Sequence, residues 1–324
     1  MGLADGLSAF LEEQWGEPVE VSGLAASSAG ARRANISFDA NGRGLVATIM
    51  PTAAIQLNRI SAEAEVRILA RARGVPVPEI IGWSEDDKWV GGPFFVSERV
   101  EGETVPRQVL RLVDKEGIGE RVAHQLGVAM AQLHTIRPDD APADLLDLGP
   151  GNPAEMALKA LSVSMKNLLE PRPTLTLANR WLTERLPDAP AQHALVHTDI
   201  RNGNLIVGAD GLRAILDWEG ARRSGDPMED AAWVALRMWR FRNDDREIGG
   251  FAGVEPFAEG YGSRFDMERF RWWKVYGTFK WAIGLAGQAG QFLDGSFRNI
   301  VMAASGRRVV EMEWDLLMLM GRDG

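Results

Sequence analysis

The sequence predicts a two-lobed α+β protein, with a small, β-rich N-terminal lobe over residues 1–100 and a larger, mostly helical C-terminal lobe over residues 101–324. Three observations predict it. The 324 residues suit about two units at roughly 150 residues each. In the first hundred residues, short apolar runs at 36–38 and 45–49 flank the turn dipeptide Asn41-Gly42, a hairpin signal. From about Glu120 onward, apolar residues recur at helical spacing, and a single β island at 194–218 interrupts them.

The elements follow in order. Residues 8–15 read as a short amphipathic helix. Residues 61–73 read as a longer one, with Ser61 as its N-cap, Glu63 and Glu65 in the first turns and Gly74 as its stop. Val75-Pro76-Val77-Pro78 forces an extended segment, because each proline disfavours helix in the residue before it. Residues 94–97 read as a buried strand, and Glu101-Gly102 breaks it. Val122, Leu126, Ala129, Met130 and Leu133 form a helical stripe, with similar stripes near 154–169, 174–186, 228–241, 266–293 and 300–320. A crevice between two such lobes is a natural ligand site.

Composition narrows the function. The chain has no cysteine, which excludes disulfides and thiolate metal sites. Its net charge of −9 argues against nucleic acid or an anionic membrane as partner. It shows no leader pattern and no apolar run long enough to span a bilayer, so a cytoplasmic protein is expected, as a monomer or homodimer. His124, His134, His193 and His197 are too scattered for a zinc site, and His134 closes a helix.

The β island carries the chemistry. Two apolar runs, Leu205-Ile206-Val207 and 212–216, flank the turn Gly208-Ala209-Asp210-Gly211. Asn204 precedes the first strand and Asp217 follows the second, so counting outward from the turn sets them nearly opposite at the open end of the hairpin. An amide oxygen and a carboxylate placed together, with few other ligands, suit Mg²⁺, which keeps waters and shares phosphate oxygens. Asp199 lies on the loop just before them and can face a hydroxyl acceptor as the base that orients it and takes its proton. Glu219 is either a third acidic group near the metal or a salt-bridged residue.

The pattern His197-x-Asp199-x-x-x-x-Asn204, with Asp217 thirteen residues later, resembles the catalytic core of the aminoglycoside phosphotransferase and choline kinase-like branch of the protein-kinase-like fold. Further resemblance lies in Gly225-Asp226-Pro227-Met228-Glu229-Asp230-Ala231-Ala232-Trp233, in Glu63 with the Val-Pro-Val-Pro segment, and in 92–99. It is nearest to bacterial phosphotransferase family proteins related to the kinase-like domain of some acyl-CoA dehydrogenases. The resemblance implies a bilobal kinase-like fold that uses ATP and Mg²⁺. Asp199 would be the base, and Asn204 and Asp217 the metal ligands. His197 and Asp226 would be structural supports, with Asp226 tying down the C-lobe backbone. On the nucleotide side it implies Ser28, Gly30 and Arg32 in the phosphate loop, Thr48 on the third strand, Glu63 on the following helix, and Glu98 and Val100 at the adenine.

The family places a Lys or Arg where Thr48 stands, and the first lysine of the chain is Lys88. Glu63 therefore has no evident cation partner in the sequence, and Arg32 or Arg33 is the candidate substitute. An inactive nucleotide-binding pseudokinase is the alternative reading. The implied acceptor is a hydroxyl on a small molecule, either an antibiotic such as an aminoglycoside or macrolide, or a hydroxyacyl-CoA-like metabolite. In the latter case Arg307-Arg308 could meet a CoA phosphate. Of eleven tryptophans, Trp233, Trp239, Trp272, Trp273, Trp281 and Trp314 fall in C-terminal helices and are expected mostly in the core, with one or two lining the acceptor pocket. Trp272 and Trp273 are adjacent, so one of them is expected to face outward.

Overall fold

The computed structural model describes residues 2–26, 33–50, 57–296 and 299–321. Helix α1 (Leu3–Trp15) is followed by β1 (Val21–Ala26), β2 (Ala34–Ala40), β3 (Arg43–Ile49), α2 (Ile60–Ala72), β4 (Ile80–Ser84) and β5 (Phe94–Glu98). The strands form one antiparallel sheet in the order β1-β2-β3-β5-β4. The Asn41-Gly42 turn closes the β2–β3 hairpin with both residues in the left-handed region, at φ 49° and 78°. Leu7, Phe10 and Leu11 of α1 pack on Phe38, Leu45 and Phe94 of the sheet. Burying each such side chain stabilises by about 1.5–3 kcal/mol.

The helical part comprises α3 (Pro106–Glu116), α4 (Gly119–Leu133), α5 (Pro153–Lys166) and α6 (Pro173–Glu184), then four short strands, β6 (Ala194–Val196), β7 (Leu205–Gly208), β8 (Gly211–Ile215) and β9 (Arg222–Gly225). Helices α7 (Pro227–Val234), α8 (Val254–Tyr261), α9 (Met267–Leu293), α10 (Ile300–Ser305) and α11 (Val309–Met320) complete it. The 194–218 island is two pairings: β7 with β8, and β6 with β9. One continuous core runs through these helices and also takes in Ala62, Val66 and Ala70 of α2. Helix α2 thus joins the sheet to the helical part and carries Glu63 at the boundary.

Two local expectations are corrected. Ser61 does not cap α2; Arg59 occupies that position, and Ser61 N and Oγ both donate to Glu85 at 2.8 Å. Trp272 and Trp273 are both buried, because α9 is packed on several sides and the two rings meet edge to face. Trp233 and Trp239 are buried too, as expected of most of the C-terminal tryptophans, while Trp314 is 61% exposed. Among the described residues, no helix is long and apolar enough to cross a membrane.

Candidate active site

Cross-strand pairing of Leu205 with Ile215 continues in a hydrogen bond from Leu216 N to Asn204 O, 2.8 Å. Asn204 therefore faces Leu216, and Asp217 lies one residue beyond, at the open end of the hairpin. Asp217 adopts left-handed backbone (φ 64°, ψ 63°), a strained state that persists only where the surroundings enforce it. Those surroundings include the wholly buried Trp218, whose indole N–H donates to Ile215 O at 3.0 Å.

Asp199 is fixed by three partners. Asn204 Nδ2 donates to its Oδ2 at 2.8 Å and to its backbone oxygen at 2.9 Å. Trp233 Nε1 donates to its Oδ1 at 2.8 Å, and Arg201 Nε stands 3.1 and 3.2 Å from the two oxygens. The carboxylate still keeps 31% exposure, enough for an acceptor to reach it. His197 is fully buried against the Trp218 ring at 4.6 Å. Its Nδ1 accepts from Asp199 N at 3.2 Å, which leaves Nε2 as the protonated nitrogen donating to Leu216 O at 3.0 Å. One imidazole thus ties the loop of Asp199 to the strand end that carries Asp217.

Behind the loop sits Asp230, wholly buried. It accepts from His197 N at 2.7 Å and Thr198 N at 2.6 Å, and meets His134 Nε2 at 3.1 Å. Burial alone would raise its pKa; the hydrogen bond from His134 and the other partners outweigh burial, and the net direction is downward. Asp226, expected to tie down the backbone, caps α7 by accepting from Met228 N at 3.0 Å and pairs with Arg269 at 2.8 Å. The two acids stand four residues apart, one helical turn, so Asp226 serves the helix start while Asp230 reaches the catalytic loop. Sequence reasoning quoted Asp230 without giving it that role.

The donor set suits a hard cation. Asn204 uses its amide N–H groups on Asp199, and its Oδ1 accepts no hydrogen bond among the described residues; nor does the Asp217 carboxylate. Asp217 opens onto the cleft but has protein on most sides. This partial desolvation, then Glu219, then Asp199, push its pKa up. Crowded carboxylates of this kind are relieved by a cation. Among the described residues no group of three His, Cys, Asp or Glu could hold a metal unaided; a two-ligand Mg²⁺ site instead takes its remaining oxygens from water and nucleotide phosphate.

The strand side departs from expectation. Glu63 does have cation partners: Arg33 Nη1 at 2.6 Å and Arg67 at 3.8 Å, with Glu63 only 1% exposed. Arg33 also faces Glu219 at 3.1 Å, which settles Glu219 as an ion-paired residue. Thr48 is tied by its hydroxyl to Asn35 Oδ1 at 2.8 Å on the neighbouring strand. Arg33 lies two residues before Asn35, so the guanidinium enters from the adjacent strand. Arg67 is buried with its guanidinium over the Phe95 ring at 4.5 Å, and burial pushes its pKa down to about 10. Glu98 N is taken by Glu79 O, whereas Val100 N has no hydrogen bond among the described residues and can meet an adenine. Ser28, Gly30 and Arg32 lie outside the described residues.

Asn58 is a further residue that no sequence signal marked. Its Nδ2 donates to Glu219 O and Ala221 O at 3.0 and 2.8 Å, and its Oδ1 accepts from Leu146 N at 2.8 Å. It clamps the approach to α2 onto the segment just after Asp217.

Comparison with known proteins agrees with this geometry. The model of the phosphotransferase enzyme family matches residues 24–273. The chain is 26% identical over 185 residues to acyl-CoA dehydrogenase family member 11 of Pongo abelii and 25% identical to the Homo sapiens protein. Each match covers 55% of this chain and 23% of the relative, so the match spans about a quarter of those proteins. In fold, the chain superposes on a candidate aminoglycoside phosphotransferase from Ralstonia eutropha with a TM-score of 0.72 at 19% identity, covering 98% of each chain. It also superposes on the aminoglycoside phosphotransferase APH(4)-Ia in complex with AMP-PNP and hygromycin B (TM-score 0.63, 18% identity, 95% and 98% covered). The GDP and kanamycin complex of APH(2")-IIIa matches at a TM-score of 0.67 and 17% identity, over 95% and 98%. The bilobal kinase-like fold is thereby shown.

Proposed function

The chain belongs to the phosphotransferase enzyme family and is a small-molecule kinase, and on that premise we propose that it moves the γ-phosphoryl group of ATP to a hydroxyl of its acceptor, with Mg²⁺, in the cytoplasm. The observation that carries this reading is the arrangement around Asp199: a fixed yet accessible carboxylate beside two oxygen groups, Asn204 Oδ1 and Asp217, that carry no hydrogen bonds among the described residues. Asp199 accepts a hydrogen bond from the acceptor hydroxyl, orients it, and takes its proton as the new O–P bond forms and the bond from the γ-phosphorus to the β–γ bridging oxygen breaks, with ADP leaving. Asn204 and Asp217 would hold Mg²⁺, which when bound neutralises charge on the nucleotide phosphates. Arg201 and Trp233 keep the base aimed.

The strand side supports activity over an inert scaffold. Arg33 is 91% buried and oriented by Glu63 and Glu219, which supports reading it as the cation that serves the nucleotide phosphates. A guanidinium held on two sides is pre-oriented for paired hydrogen bonds to phosphate oxygens. Arg33 thus replaces the cation missing at Thr48. For the acceptor, two classes stay in play, an antibiotic or a hydroxyacyl-CoA-like metabolite; the former is supported by the hygromycin B and kanamycin complexes of two structural relatives. The test is Asp199→Asn: transfer is lost while nucleotide binding persists, and full transfer by that variant would overturn the assignment.

A further inference from the structure

A cavity of about 860 Å³ opens beside the catalytic loop, between α3, the segment 237–244 and the start of α11. Five arginines and four acids line it. The acids are all engaged: Asp244 and Asp315 by Arg237 at 3.0 and 3.2 Å, Glu311 by Arg308 at 3.5 Å, and Asp114 by Arg246. Arg107, Arg111 and Arg242 have no carboxylate within 4.0 Å among the described residues. Three arginines without an ion-pair partner among the described residues, from two different elements, therefore line one concavity, whose five arginines against four acids leave it net positive. Arg242 and its neighbour Phe241 both hold left-handed backbone, at φ 78° and 49°, so the arginine is presented on a strained turn that its surroundings must enforce.

The cavity is joined to the reacting centre. Trp239 lines it, and the Arg201 guanidinium lies over the Trp239 ring at 4.7 Å while its Nε faces Asp199 at 3.1 Å. Base, Arg201, Trp239 and cavity are thus consecutive neighbours. Gly203 brings α3 close: at φ 118°, a Cβ there would stand 2.8 Å from Arg201 Nη1 and 3.4 Å from the Pro106 ring. On the far side of Asp199, Lys280 lies over the Trp233 ring at 4.7 Å, also with no carboxylate within 4.0 Å among the described residues. The arginines of the cavity and Lys280 thus flank Asp199 on two sides and favour an acceptor that carries an anionic group.

We propose that this cavity is the docking site for an anionic group, phosphate or carboxylate, at the far end of the acceptor, held by Arg107, Arg111 and Arg242 while the acceptor hydroxyl lies at Asp199. The proposal rests on the phosphotransfer reading for what happens at Asp199, but not for the binding itself. Guanidinium forks take phosphate and carboxylate oxygens in paired hydrogen bonds. The acceptor is therefore an anionic alcohol.

Two measurements test it, both with Mg·ADP or Mg·ATP saturating so that the nucleotide site is filled. In the first, 1-naphthyl phosphate is titrated against the full chain and against Arg111→Ala and Arg242→Ala, whose melting temperatures show that they fold. We expect binding to the parent and about tenfold weaker binding to each variant, the loss of one charged hydrogen-bonding partner. In the second, alcohols bearing a phosphate are compared as acceptors with the same alcohols lacking it and with kanamycin. We expect about a tenfold advantage in kcat/KM for the anionic member of each pair, and its disappearance in the variants. Equal binding by parent and variants overturns the proposal, as does a preference for kanamycin. Binding that alters turnover without competing with the acceptor makes the site one for a free anion and also overturns it. Arginine-dependent binding with no transfer to any alcohol upholds the anion site and overturns the phosphotransfer reading instead.

Discussion

The two walls of the cleft reach the same end by different routes. On the helical wall, the groups that hold Asp199 and its loop lie on the loop itself or on α7: Asn204 and Arg201 nearby, Trp233 and Asp230 from the helix, and His197 linking loop to hairpin. On the strand wall, the cation is displaced. Thr48 bonds to Asn35, and Arg33 enters from the adjacent strand to meet Glu63 and Glu219. The first wall leaves little room for substitution, because one atom has several obligations. The second needs only a positive group near one point in space, and different backbone positions can supply it.

Asp199→Asn breaks the helical wall outright. Removing the base should lower transfer by about 10²–10⁴-fold, measured as ADP release with acceptor present, while nucleotide binding is unchanged. Asp230→Asn breaks the same wall from behind, and should destabilise by about 2–4 kcal/mol in urea unfolding, because two charged hydrogen bonds to buried backbone are lost. Asp230 also gives a pH test. Its folded pKa is lowered, so the unfolded chain binds protons more readily. The stability it provides is present above the unfolded value of about 4 and fades as pH falls through the folded value. Denaturation profiles of the parent should carry that acid slope, and those of Asp230→Asn should lack it.

The strand wall should respond more mildly. Arg33→Ala should raise KM for ATP about tenfold, and Arg33→Lys should recover part of the loss, since charge returns without the fork. Arg43→Ala is the control: its pair with Glu79 at 2.7 Å is solvent-exposed, and losing it should change stability by less than about 1 kcal/mol and leave KM unaltered. An Arg33→Ala protein with unaltered nucleotide affinity would mean that the displaced cation is structural only.

How far the sequence could be read follows the same division. Asn204 and Asp217 were legible because a hairpin converts sequence spacing into distance, and the pairing continues to Asn204 and Leu216 as the turn predicts. Glu63 was legible as a helix residue and Arg33 as one of two candidate cations, but their pairing was not: they are thirty residues apart, and only the sheet's strand order brings them together. The role of Asp230 was missed for want of helix phase, which separates it by one turn from Asp226. Asn58 was invisible because an isolated polar residue before a helix carries no local signal. Adjacent Trp272 and Trp273 misled because the rule assumes a helix with one buried face, and α9 is covered on several.

Both walls serve phosphoryl transfer. The most direct test incubates the protein with Mg·ATP and a metabolite extract and follows, by mass spectrometry, any compound that gains one phosphate. We expect at least one such product with the parent chain, less of it at low ATP with Arg33→Ala, and none with Asp199→Asn. Tight ATP binding with no phosphorylated product, or equal product from the Asp199→Asn protein, would contradict it.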